Sequence, residues 1–94
     1  MYRAEIIANR SVKEEIIEGL ESALPGILYT VFPDIEGRGK RDRKLGTVTW
    51  PELNFALFAY VADDEVSVMR KVIAGLKERF PNEGIRLFFV EALE

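Results

Sequence analysis

Two stretches of this chain, Leu53–Val61 and Ile85–Val90, are apolar at odd and even positions alike. In the first, Phe55, Leu57, Ala59 and Val61 alternate with Ala56, Phe58 and Tyr60; in the second, Leu87 and Phe89 alternate with Phe88 and Val90. Successive side chains of a strand point to opposite faces, so each stretch offers apolar surface on both sides. One layer of helices covers one side only. Burying a Phe or Leu is worth roughly 1.5–3 kcal/mol, and several left in water would be costly. The chain is therefore expected to cover its second sheet face by self-association.

The rest of the pattern supplies the helices and the order. Tyr2–Ala8 alternates as a first strand, with Ala4, Ile6 and Ala8 on one side. Asn9-Arg10 breaks it, and Ser11 followed by Glu14 predicts a capping box. Val12, Ile16, Ile17, Leu20, Ala23 and Leu24 then share a helical stripe, opposite Lys13, Glu14, Glu15, Glu18 and Glu21. Pro25-Gly26 ends that helix. Ile27–Ile35 is a second strand, in which Pro33 predicts a sheet edge or a bulge, because proline cannot donate to a ladder. After Leu53–Val61, Ala62-Asp63-Asp64-Glu65 opens a second helix with acids at its positive end. Its buried stripe is Met69, Val72, Ile73, Leu76 and Phe80, and Pro81-Asn82-Glu83-Gly84 turns into the last strand. The order β-α-β-β-α-β predicts a single domain over residues 1–94. Its architecture is a ferredoxin-like α+β sandwich, two helices on one face of a four-stranded antiparallel sheet.

Composition narrows the chemistry. The chain has no cysteine and no histidine, which removes disulfides, thiolate sites, the usual zinc ligand and the commonest general base. A net charge of −3 argues against general nucleic-acid binding, which needs a broad basic face. No signal segment is visible and no apolar run approaches the ~18 residues of a membrane span, so membrane insertion is not expected and a cytoplasmic location is. Ser11 has no visible base, and the acids at 63–65 suit helix capping better than a metal. No catalytic constellation assembles, and an enzyme is not expected.

One segment stands apart. Between Gly37 and Lys44 lie five of the thirteen basic residues against one acid, Asp42. Gly37-Arg38-Gly39 followed by Lys40, Arg41 and Arg43 has the ingredients of an anion site, glycines for backbone approach and cations for charge-assisted bonds. The same residues equally make a solvated hairpin whose charges keep a sheet edge from aggregating. Trp50, before Pro51, either packs at the strand entry or offers a stacking wall.

At these residues the chain resembles the PII signal-transduction superfamily. The second strand ends in Gly37-Arg38-Gly39-Lys40, the sheet is re-entered at Trp50-Pro51-Glu52 where that family has hydrophobic-Pro-Lys, and Ala62-Asp63-Asp64 precedes the second helix. The resemblance spans nearly the whole chain. It implies a homotrimer with sheets facing a common centre and a sensor that binds a small anionic ligand in clefts between subunits. The 37–52 loop would then report to a target protein. Ligand-binding residues carried over or placed beside that turn are Gly37, Arg38, Gly39, Lys40, Arg41, Arg43 and Trp50. The departures are a short loop without a tyrosine, and Asn82-Glu83-Gly84-Ile85 in place of the family's phosphate-gripping Gly-Asp-Gly-Lys, with Arg86 displaced from the lysine's place. They leave the cofactor open: a nucleotide is compatible with the fold, but the grip for it is not carried over. A CutA-like trimer linked to divalent cations and a ligand-free protein-interaction module are the alternatives.

Overall fold

The computed structural model describes residues 1–38 and 53–94, with the backbone alone of 43–44. Strand β1 (Tyr2–Asn9) leads through a 3₁₀ turn (Arg10–Val12) into helix α1 (Lys13–Ala23). Strand β2 (Tyr29–Ile35) is followed by two short strands, β3 (Gly37–Arg38) and β4 (Arg43–Lys44), that pair with each other. Strand β5 (Asn54–Val61), helix α2 (Asp63–Arg79) and strand β6 (Arg86–Glu91) complete the chain. The main sheet runs β2-β5-β1-β6 with every pairing antiparallel, which is the ferredoxin-like arrangement expected from the sequence.

Alternation decides which side chains the helices cover. Ala4, Ile6 and Ala8 of β1 and Phe55, Leu57, Ala59 and Val61 of β5 are buried in one cluster with Ile16 and Leu20 of α1 and Met69, Ile73 and Leu76 of α2. Leu87 and Phe89 of β6 pack against its rim, as do Tyr29 and Val31 of β2. Ala23 is exposed, so the α1 stripe is narrower than the spacing predicts. Glu15, expected on the solvated side, is half-buried.

Pro33 acts as its chemistry requires. Strand β2 lies at the sheet edge, and its register with β5 breaks between Phe32 and Ile35. The turn before β6, 81–84, closes on Gly84, whose φ of +56° suits a residue without a Cβ. The start of α1 differs from expectation. Ser11 does not cap it with Glu14. Instead the Asn9 side chain accepts from the Ser11 N–H at 2.9 Å, and the Ser11 hydroxyl donates to Glu83 at 2.9 Å. At α2, Glu65 reaches back to accept from the Ala62 N–H at 2.8 Å, which ties the first turn as the acidic run suggested.

Candidate functional site

Two surfaces carry the residues that sequence reasoning singled out. The first is the end of the sheet from which the basic segment departs. Here Gly37 pairs with Lys44 and Arg38 with Arg43, so the chain has reversed direction by Arg43. Gly37 is a close-approach position: a Cβ there would stand 2.9 Å from the side-chain nitrogen of Asn54. Its lack of a side chain thus makes room for Asn54, a use that the anion-site reading did not foresee. Arg38 is exposed. Gly39, Lys40, Arg41 and Trp50 lie outside the described residues, and Arg43 is described in its backbone alone.

Around that departure point the structure assembles a polar rim that the sequence did not announce. Arg10 donates to Asp34 at 2.7 Å, tying the end of β1 to the bulged end of β2. The Arg10 N–H bonds the Leu53 carbonyl at 2.9 Å, which ties the same turn to the entry of β5. The Ser11–Glu83 bond adds the turn before β6. Four chain segments thus meet at one end of the sheet, held by partners 24 and 72 residues apart in the two side-chain bonds. Only the Asn9-Arg10-Ser11 interruption of the first strand pointed there. Arg86 does not join this rim; its guanidinium sits over the Phe88 ring at 5.2 Å.

The second surface is the sheet face without helices. Its register rows read Val90–Arg3–Tyr60, then Phe88–Glu5–Phe58–Thr30, then Arg86–Ile7–Ala56–Phe32. Phe32 and Phe58 meet edge to face with centroids 5.5 Å apart. Phe88 and Val90 are each 43% exposed, an outlay of apolar area that no element among the described residues covers. In the middle lies an ion pair, Arg3 to Glu5 at 2.7 Å, with the Arg3 guanidinium 5.6 Å above Phe58. A bond with Tyr60, and then the Glu5 charge, raise the Arg3 pKa and hold it cationic. The Arg3 Nε is nonetheless buried without a partner, although the side chain as a whole is 38% exposed. An aromatic face around a charged pair resembles the composition of protein interfaces more than that of ordinary surface.

Comparison with known proteins bears on the fold. No family model matches the chain, and no curated protein matches it. Solved structures do. CPII from Thiomonas intermedia K12, bound to ADP and bicarbonate, superposes with a TM-score of 0.72 at 21% identity, over 95% of this chain and 82% of that one. A protein of Thermus thermophilus described as PII-like and signaling gives 0.62 at 21% identity, over 95% and 83%. The de novo designed protein Foldit4 gives 0.61 at 9% identity, over 98% of both chains. The chain therefore has the ferredoxin-like fold of PII-like proteins. A designed protein shares that architecture too, so function has to be argued from the two surfaces.

Proposed function

We propose that this protein is a PII-like regulator, not an enzyme, that assembles as a homotrimer through its open sheet face. It binds a small anionic ligand beside the 37–52 segment, in clefts between subunits. The observation that supports this reading best is the open face itself, where Phe32, Phe58, Phe88 and Val90 surround Arg3 and Glu5 with nothing described above them. Three such faces turned to a common axis would bury what one chain leaves wet. The likeness to CPII, which has been solved with ADP and bicarbonate, supports an anion as ligand.

In this reading Gly37 and Gly39 lend backbone N–H groups, and Arg38, Lys40, Arg41 and Arg43 supply charge. Trp50 forms a wall. The segment then reports the bound ligand to a target protein in the cytoplasm. Among the described residues no helix is long and apolar enough to cross a membrane. Calorimetric titration with ADP, AMP, ATP and bicarbonate tests the proposal, run on the wild type and on a Lys40→Ala/Arg41→Ala variant. Saturable binding weakened roughly tenfold or more in the variant is expected, the loss of two charge-assisted contacts. Equal affinities would remove the segment from the site, and silence with all four ligands would remove the site itself.

A further inference from the structure

The two edges of the main sheet are not alike. Strand β2 is blunted by Pro33, by the register break beside it and by the Arg10–Asp34 pair. Strand β6, Arg86–Glu91, is regular, carries no proline and, among the described residues, pairs with β1 alone. A regular free edge presents a row of unpaired backbone groups, a template for one more strand.

Beside that edge runs a cleft of about 390 Å³, lined by Arg70, Ile73 and Lys77 of α2 and by Leu87, Phe88 and Phe89 of β6. Its charges are of one sign. Arg70 lies over the Phe89 ring at 5.3 Å, and neither it nor Lys77 forms an ion pair among the described residues. The two cations stand seven positions apart on the helix, about 10 Å along the axis at 1.5 Å per residue. Same-face side chains of an extended chain recur about every 7 Å, so carboxylates at alternate positions of one strand come near both cations, and the long Arg and Lys side chains take up the remaining few ångströms. A second copy pairing edge to edge about a two-fold axis would bring Arg70 and Lys77 against their own images. Like charges there argue against a two-fold pair of copies, and two cations without ion pairs beside the edge favour an acidic occupant.

We infer that the β6 edge and the Arg70–Lys77 cleft form a docking site for an extended acidic segment of another protein, added to the sheet as a further strand. Backbone bonds to β6 supply register, and alternate Asp or Glu side chains reach α2. The site is at the side of the sheet and shares Phe88 alone with the open-face residues named above, and it does not depend on the ligand proposed above.

The probe is a short fluorescein-labelled peptide of alternating valine and glutamate, followed by anisotropy on the full chain. Expected results are saturable binding that weakens with salt and is lost when a central proline is placed in the peptide. An Arg70→Glu/Lys77→Glu variant should weaken it roughly tenfold or more, two pairs removed and reversed. Equal binding of a valine–lysine peptide, or unchanged affinity in the variant, overturns the proposal. So does a variant that sediments as a smaller species than the wild type, which would assign the cleft to contact between copies of this chain. Far-ultraviolet circular dichroism of the variant checks that it is folded, and Arg70→Ala/Lys77→Ala repeats the test without introduced acids.

Discussion

On the helix-covered face Ala4, Ile6, Phe55, Leu57 and Ala59 are 0–1% exposed, whereas on the reverse of the same four strands Phe32, Tyr60, Phe88 and Val90 keep 43–58%. Both faces are apolar, but they use different side chains. The covered face interleaves alanines with aliphatic residues and Phe55, sizes that let two helices settle close to the sheet. The open face is aromatic and carries a salt bridge at its centre. Aliphatic packing fills a volume already enclosed; broad rings and a guanidinium suit a surface that must meet another molecule. Apolar alternation alone does not tell a core from an interface, but the kind of apolar residue does.

The comparison breaks most visibly by truncating one residue on each side. Leu57→Ala opens a cavity in the enclosed layer and is expected to cost about 2–5 kcal/mol of unfolding free energy, read from urea denaturation. Phe88→Glu should leave the stability of the single chain within about 0.5 kcal/mol of the wild type, as substitutions at exposed sites do. Its effect belongs to assembly. The wild type is expected to sediment at about three times the 10.7 kDa of one chain, and Phe88→Glu as one chain with unchanged circular dichroism. Should the wild type itself sediment as a single chain in dilute buffer, the open face is simply exposed apolar surface and the trimer is wrong.

A smaller effect sharpens the role of the ion pair. Glu5→Gln leaves Arg3 with Tyr60 as its remaining polar neighbour in the middle of an apolar face. A cation deprived of its carboxylate resists burial, so the variant should dissociate at a protein concentration roughly tenfold higher than the wild type does. The double variant Arg3→Leu/Glu5→Leu removes both charges and should restore or strengthen association. If it weakens association as much as Glu5→Gln, the pair acts by geometry and not by charge.

These two faces were legible in the sequence to different depths. The double alternation of Leu53–Val61 and Ile85–Val90 announced apolar surface on both sides, and Pro33 announced the edge, because each rests on residues within one strand. What the sequence hid depends on distant partners. Ser11 was read with Glu14, its helical neighbour, but its hydroxyl finds Glu83 across the rim. Arg86 was read only as displaced from the place of the family's lysine, and where it goes instead, to the open face beside Phe88, follows from strand parity. Gly37 was read as a donor of backbone N–H, and its contact with Asn54 needed the β2–β5 geometry to be seen. The remaining site residues, Gly39, Lys40, Arg41 and Trp50, rest on resemblance and on the titration proposed for them.

The finest test lies at the margin of the covered face, where the Tyr29 hydroxyl donates to Glu21 of α1 at 2.9 Å and fastens strand β2 to the helix layer. The bond needs the phenol proton, and Glu21, burial and nearby acids all disfavour phenolate, so the Tyr29 pKa is raised in the folded chain. A raised folded-state pKa means that the native protein holds this proton more tightly than the unfolded chain does. The stability it contributes is therefore complete below the unfolded value of about 10 and is lost as pH rises through the higher folded value. Tyr29→Phe keeps the ring and deletes the proton. Below pH 10 the variant should be slightly less stable than the wild type, and the gap should close as the pH climbs further. A gap that stays constant through the alkaline range would show that the ring, not the bond to Glu21, holds this edge of the enclosed face.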